Sequence, residues 1–208
     1  MDIAHPDAIF MAKYQGHGGE INEQAQYKLL AHLMKAPFFS ELRTKQQLGY
    51  TVWAYSDLND RIPGLRLSIQ SAKKDPITLQ NRVDAFLIAF KERLSNMTEE
   101  EYRSQTNGLI ANLEEKDSAF YPRSSRLKRN ISLDYTAFNH KQMLADALKS
   151  MTKRDISEFY ETQILKGDRV IVRAYGKHTA NKDAKSTHAT LESLSADFNE
   201  RHIRQHKP

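Results

Sequence analysis

Hydrophobic and polar positions alternate with a period of two in four short segments, a pattern typical of strands with one buried face. The clearest is 65–71, where Leu65, Leu67 and Ile69 alternate with polar residues. The four predicted strands are 8–15, 50–56, 65–71 and 169–175. The segment DLNDRIPG, between the second and third, is predicted to be a hairpin loop.

Between these strands, apolar residues recur with the spacing of amphipathic helices. Glu20 to Ala36 is predicted as one helix, and Pro37 as the start of a second helix that Gly49 ends as a C-terminal cap. A further helix is predicted from Pro76, with an apolar stripe of Val83, Phe86, Leu87, Phe90 and Leu94. Capping boxes predict two helix starts: Thr98 with Glu101 begins a helix that buries Leu109 and Leu113, and Thr152 with Asp155 begins a helix that ends at Gly167. Two more helices are predicted over 123–133 and 140–150. This order predicts an α/β (α+β sandwich) fold, with a mainly antiparallel or mixed sheet and helices layered on one face.

Composition indicates one globular domain. Hydrophobic residues make up 39% and charged residues 27% of the 208 residues, which excludes a disordered or low-complexity chain. We assign residues 1–176 to the domain and the polar segment 177–208 to a C-terminal tail. No segment approaches the ~20 apolar residues that span a bilayer, so no membrane partner is expected. The absence of cysteine excludes disulfides and thiolate metal ligands.

A net charge of +5 raises a nucleic-acid partner as a possibility. The densest basic stretch, RSSRLKR at 123–129, covers barely two helical turns, and 26 acidic residues are interspersed through the chain. A solvated or interdomain helix face is therefore favoured, and no nucleic-acid partner is expected.

Two histidine patterns bear on a metal site. His17 and Glu20 begin like the inverted zinc motif H-x-x-E-H, but Ile21 stands where the second histidine is needed. His202 and His206 have the spacing of two ligands on a helix, but no glutamate lies between them. No metal site is predicted in this chain.

The most informative stretch for function is PFFSELRTKQQLGYTVWAY. In helical geometry Phe39, Arg43 and Gln47 share one face, and Gly49 then turns the chain and places Tyr50 at the start of a strand. An arginine fork can hold peptide carbonyl oxygens, and a tyrosine hydroxyl can donate to an oxyanion at a scissile carbonyl. The alternative is a surface arginine and a half-buried strand tyrosine, and chemistry alone does not exclude it.

The motif F-x-x-L-R-T-K-Q-Q-L-G-Y, continued by G-L-R-L-S-I-Q-S and R-V-D-A-F-L, resembles the C-terminal domain of insulinase-type (pitrilysin and insulysin) zinc peptidases. The resemblance covers roughly residues 9–175. It implies the fourth of four related domains, arranged as two halves around a peptide, with zinc in the first domain. It further implies that Arg43 and Tyr50 reach the substrate near zinc, as catalytic residues, and that Phe39 lines the same surface. Gln47, on the predicted face, is added as a substrate-binding candidate.

The resemblance implies that the parent enzyme contains zinc as its cofactor. Because no H-x-x-E-H motif occurs in this sequence, no zinc is expected in this chain. We expect this chain alone to be inactive, to form a wall of the substrate chamber, and to have peptides and the other domains as partners. An alternative is an independent zinc-less subunit that pairs with a catalytic subunit. The expected compartment is periplasmic if the parent is pitrilysin-like, and cytoplasmic otherwise.

Overall fold

Four antiparallel strands form the sheet of the computed structural model, which describes residues 6–177. The strands are β1 (Ala8–Gln15), β2 (Thr51–Asn59), β3 (Ile62–Ser71) and β4 (Arg169–Ala174). Their order is β2-β3-β1-β4, so β1 and β3 are central and β2 and β4 are the edges. The predicted strands and the predicted α+β fold are confirmed.

The hairpin between β2 and β3 is tighter than the predicted loop. Only Asp60 and Arg61 separate the strands, with φ of 49° and 66°. Positive φ at both central residues is the geometry of a type I′ turn, whose twist matches that of the flanking strands. The strands therefore extend through most of the segment predicted as loop.

Six helices accompany the sheet in the described residues: α1 (Ile21–Phe39), α2 (Pro76–Asn96), α3 (Glu99–Glu114), α4 (Phe120–Ser132), α5 (His140–Ser150) and α6 (Lys153–Phe159). Helices α1 and α6 each continue directly into a π-helical turn, Ser40–Lys45 and Tyr160–Leu165 respectively. Both predicted capping boxes are present, at the starts of α3 and α6. No helix in the described range is long and apolar enough to cross a membrane.

The predicted helix break at Pro37 is wrong, because Pro37 lies inside α1. Proline supplies no backbone N–H and usually ends or kinks a helix. Here Phe38 and Leu42, one on each side of the junction, are fully buried, so core packing keeps the chain helical through the proline. The following turn winds more widely, and the Gln46 N–H donates to the Glu41 carbonyl five residues back.

Gly49 does not cap the helix either. The left-handed residue after the π-helical turn is Gln47, with φ of 50°, and no described glycine has positive φ. A Cβ at position 49 would lie 2.0 Å from the backbone carbonyl oxygen of Gln70 on β3. Glycine is required at position 49 because the backbone of β3 lies too close for any side chain, not because the residue adopts positive φ.

The core lies between one face of the sheet and the helices. Phe10, Leu67 and Ile69 are fully buried on that face. The predicted stripes on α2 and α3 are also buried, with Phe86 7%, Leu87 3%, Phe90 1% and Leu109 7% exposed. Edge-to-face and stacked contacts join Phe38, Phe86, Phe90 and Tyr160 into one chain of rings. The helices thus cover one face, as predicted.

The opposite face of the sheet carries exposed or half-buried side chains and is called the open sheet face below. Its residues are Ile9, Met11, Lys13, Thr51, Trp53, Tyr55, Arg66, Ser68, Gln70, Val170, Val172 and Ala174. The predicted tail, 177–208, lies outside the described residues except for Lys177.

Candidate functional site

Tyr50 stands one residue before edge strand β2 and is 57% exposed. Its hydroxyl donates a hydrogen bond of 2.8 Å to Oδ2 of Asp7. This bond to a carboxylate raises the pKa of the Tyr50 phenol above its ordinary value, so the phenol keeps its proton at neutral pH. Tyr50 is therefore a neutral hydroxyl with an exposed ring, as a substrate-contacting tyrosine would have to be.

Asp7, just before β1, is only 9% exposed. Its Oδ2 also accepts a hydrogen bond of 2.9 Å from the side-chain amide of Gln70, on the open sheet face. Because β3 lies between β2 and β1, the phenol of Tyr50 reaches across the end of β3 to meet this carboxylate. Sequence reasoning missed Asp7 and Gln70, since they are separated by 63 positions and only the strand register brings them together.

Arg43 lies in the π-helical turn and is partly exposed. Its side chain forms no hydrogen bond or ion pair with another residue of the described range. A guanidinium carries five N–H donors in a planar fork suited to carbonyl and carboxylate oxygens. Arg43 is thus available to an external acceptor.

Phe39 and Gln47 flank the same turn. Phe39, the last residue of α1, is 47% exposed. Gln47 is exposed but follows the end of the π-helical turn, so the predicted single helical face extends from Phe39 to Arg43 and does not include Gln47. The four candidate residues lie on one connected segment leading into β2, and no hydrogen bond between them occurs in the structure described.

The open sheet face beside this segment has an apolar band. Trp53, Ser68, Met11 and Val172 are cross-strand neighbours in one row across all four strands. Trp53 is 60% exposed. Val172 is exposed as well, and Met11 and Ser68 are half-buried, so three of the four side chains in this row are apolar and reach solvent. Such a row is more typical of an interaction surface than of a solvated sheet face.

A second row adds charge to this face. Arg66 donates to Asp57 at 2.7 Å, and its guanidinium lies 5.6 Å from the centre of the Tyr55 ring. Lys13, its register partner on β1, is 3.7 Å from the same carboxylate. The face therefore combines an apolar band with a row of two cations held by one carboxylate.

The described residues do not fit a zinc site. They contain no group of three or more His, Asp or Glu side chains able to hold a metal ion. Glu23 accepts the backbone N–H groups of His17 and Gly18, at 2.9 and 3.0 Å, which makes that region a turn built on a carboxylate. The pair His202 and His206 lies outside the described residues.

Comparison with known proteins identifies the domain. The family described as PQQ synthase PqqF-like, C-terminal lobe domain 4, matches residues 29–128. A nardilysin-like protein of Arabidopsis thaliana is 29% identical over 176 residues, which are 83% of this chain and 17% of that protein. The human insulin-degrading enzyme is 31% identical over 151 residues, 73% of this chain and 15% of that enzyme. The chain corresponds to the C-terminal domain of insulinase-type peptidases.

Solved structures agree on the fold of this insulinase-type domain. Pitrilysin superposes with a TM-score of 0.78 at 21% identity, over 90% of this chain and 20% of that one. The inactive peptidase domain of a Bordetella parapertussis protein, described as a zinc protease, superposes with a TM-score of 0.65 at 11% identity, over 84% and 95% respectively. The chain spans less than a fifth of the length of the nardilysin-like protein and of the insulin-degrading enzyme.

Proposed function

We propose that this insulinase-type domain is a non-catalytic C-terminal domain of a zinc metalloendopeptidase. In this proposal it forms part of the wall of the substrate chamber, and it supplies Arg43 and Tyr50 to the peptide near a zinc ion held by another domain. The partners are peptide substrates and the other domains of the parent protein. The polar segment 177–208 is proposed to be a tail outside this domain.

The observation that carries the proposal is the placement of Tyr50, exposed and protonated at the end of the open sheet face. Arg43 lies on the segment that leads into the same strand and has no partner within the described range. The apolar band containing Trp53 and Met11 provides an adjoining surface on which an extended peptide can rest.

The chemistry expected of these residues is binding and charge stabilisation. The Arg43 guanidinium would hold peptide carbonyl oxygens. The Tyr50 O–H, which donates to Asp7 in this structure, would turn to the substrate and stabilise negative charge that develops on the scissile carbonyl. Phe39 and Gln47 would contact the peptide beside them. Zinc, bound elsewhere, would activate the attacking water.

The test is turnover in the parent protein. Tyr50→Phe is expected to lower kcat about a hundredfold, the cost of one such donor. Arg43→Ala is expected to lower kcat/KM. Tyr121→Phe and Arg154→Ala are matched controls, because both residues are exposed and lie on α4 and α6, outside the segment of Phe39 to Tyr50. Normal turnover in folded Tyr50→Phe protein would refute a catalytic role, and a large fall in Tm would favour a structural one.

The isolated chain provides a second test. The sequence contains no H-x-x-E-H motif, and residues 6–177 contain no cluster of side chains that could hold a metal ion. The purified chain is therefore expected to show no chelator-sensitive peptidase activity. Mixing it with a parent protein truncated before this domain should restore activity if the domain completes the site. Chelator-sensitive cleavage by highly purified isolated chain would contradict the proposal.

A second candidate is an independent zinc-less subunit that pairs with a catalytic subunit. It is compatible with the Bordetella structure, which is described as an inactive peptidase domain of a zinc protease and shares the fold of this chain over a similar extent. The reading frame upstream of Met1 discriminates between the two. A continuous frame encoding H-x-x-E-H supports the C-terminal domain, whereas a start codon at Met1 supports the subunit.

A further inference from the structure

A cavity of about 790 Å³ lies between α1, α4, α5 and the hairpin end of β2, apart from the segment that carries Arg43 and Tyr50. Its volume falls within the range of about 300–1,000 Å³ that is usual for ligand sites. It is called the basic cavity below, because five basic side chains line it: Lys28, Arg126, Lys128, Arg129 and Lys141.

Three of these cations have no anionic partner. The side chains of Lys28, Lys128 and Arg129 form no hydrogen bond or ion pair with another residue of the described range. Lys28 is half-buried, and its burial, followed by the positive charges of Arg129 and Lys141, lowers the pKa of its ammonium group. Since the charges that act on Lys28 are both positive, an anion bound beside it would stabilise the charged form.

The carboxylates near the basic cavity are already paired with cations. Asp117 lies 2.7 Å from Arg126 and 3.6 Å from Lys141. Asp57, the one acidic residue among the described residues that line the cavity, is held by the two cations of the open sheet face. Each carboxylate is therefore shared by two cations, and the cavity keeps a net positive charge.

Asn130 adds a hydrogen-bond acceptor to the wall of the cavity. It is 4% exposed, and its side-chain nitrogen donates to the Arg126 carbonyl at 2.8 Å. Its Oδ1 is buried and has no donor within the part of the chain that the structure describes. A complementary ligand thus carries negative charge for the cations and an N–H for this oxygen. A peptide segment with acidic side chains carries both.

Edge strand β2 connects the basic cavity to Tyr50. Tyr50 stands one residue before β2, and Ser56, Asp57 and Leu58, towards the other end of the strand, line the cavity. At about 3.3 Å per residue, the path along β2 from Tyr50 to Asp57 measures about 23 Å. An extended peptide that follows β2 therefore reaches the cavity about seven residues from the bond held near Tyr50.

We propose that the basic cavity binds an acidic peptide segment, whose carboxylates pair with Lys28 and Arg129 and whose backbone donates to Asn130. The inference rests on the proposed function only where it takes this peptide to be a substrate, because the binding itself needs neither Arg43 nor Tyr50. As a substrate site, the cavity selects peptides with acidic residues about seven positions from the cleaved bond.

The first experiment measures binding to the 208-residue chain. The probe is an acetylated and amidated peptide of four glutamates alternating with three glycines, compared with the same peptide containing glutamine. The glutamate peptide is expected to bind at least about tenfold more tightly, and Lys28→Met should weaken it about tenfold. Because Lys28 has no partner to lose, this variant should stay folded. Lys35→Met, at an exposed site on α1 that does not line the cavity, is the control.

Two results of this experiment would overturn the proposal. One is equal affinity for the two peptides, or an affinity for the glutamate peptide that is the same in the native chain and in Lys28→Met. The other is inorganic phosphate that binds as tightly as the glutamate peptide and displaces it, which would identify a phosphate site instead.

The second experiment measures cleavage by the parent protein of peptides with two glutamates, or two glutamines, about seven residues to either side of the cleaved bond. On one side, glutamate is expected to raise kcat/KM about tenfold, and Lys28→Met should abolish this preference while Lys35→Met keeps it. No preference in the native protein, or one that persists in Lys28→Met, would overturn the substrate role of the cavity.

The two proposals fail in different ways. If Tyr50→Phe leaves turnover unchanged while the isolated chain binds the glutamate peptide through Lys28, the proposed role of Tyr50 fails and the basic cavity stands as a peptide site. If Tyr50→Phe lowers turnover but the glutamate peptide does not bind, the proposed function stands and the inference about the basic cavity alone fails.

Discussion

Acidification from pH 8 to pH 5 is expected to destabilise this domain by roughly 2 kcal/mol through one side chain, His140. His140 begins α5 and is 9% exposed. Its ring stacks on Tyr135, with centroids 4.2 Å apart, and its Nε2 lies 2.8 Å from Oε1 of Gln24. The Gly19 carbonyl can only accept a hydrogen bond, so the amide nitrogen of Gln24 must face it. The amide oxygen of Gln24 then faces His140, and Nε2 of His140 must carry the proton that it donates.

The sign follows from the depressed pKa. Burial, and then the positive charges of Arg129, Lys28 and Arg61, lower the pKa of His140 from 6.5 to about 4. Neutral His140 therefore contributes stability that is complete above pH 6.5 and is lost as the pH falls towards 4. At pH 5 the unfolded chain binds this proton almost fully and the folded chain hardly at all, which gives the roughly 2 kcal/mol stated above.

The assay is urea unfolding at pH 8 and pH 5 for the native chain and for His140→Gln. The variant is expected to lose stability at pH 8, because the ring contact with Tyr135 is lost and a flexible amide replaces the imidazole that donates to Gln24. Its difference in stability between the two pH values should nevertheless shrink by roughly 2 kcal/mol. His32, whose pKa burial also lowers, is present in both proteins, so its contribution cancels in the comparison. His17→Gln, at an exposed site, is the control. An undiminished pH difference in His140→Gln would refute the reasoning.

Two further predictions concern the backbone and a helix cap. Gly49→Ala places a Cβ 2.0 Å from the Gln70 carbonyl oxygen and is expected to lower the free energy of unfolding by about 3 kcal/mol or more. Gly108→Ala, in open space on α3, should raise it by up to about 1 kcal/mol. Thermal melts of both variants check this, and equal Tm values would contradict it. Thr98→Ala removes half of the α3 capping box and should cost about 1 kcal/mol in urea unfolding, with Ser95→Ala, an exposed serine in the last turn of α2, as the control that should change little.

The sequence predicted those parts of the fold that local patterns determine. Period-two alternation located all four strands, and the stripe of Val83, Phe86 and Phe90 located the buried face of α2. Each capping box fixed a helix start because its two hydrogen bonds lie within four consecutive residues. These signals need no knowledge of what packs against the element.

Predictions failed where a distant residue decides the local structure. Pro37 is a valid helix-start signal, but burial of Phe38 and Leu42 in the core overrides it. Gly49 is a valid capping signal, but its role is set by β3, some twenty positions later in the chain. Arg43 and Tyr50 were identified from their motif, and their roles stay predictions. Asp7 was not identified, because its two donors are 43 and 63 positions away and no local pattern marks them.

The strand order has a consequence for how the domain is made. Central strand β1 has β3 on one side and β4 on the other, and the register partners Tyr14 and Arg169 are 155 positions apart. Closing so long a loop is entropically costly, which makes folding slow and dependent on late contacts. During synthesis, the edge of β1 that pairs with β4 stays unpaired until β4 has left the ribosome. An unpaired strand edge is a template to which another chain can pair. A nascent or truncated chain that lacks β4 is therefore expected to be the form of this protein most prone to aggregation.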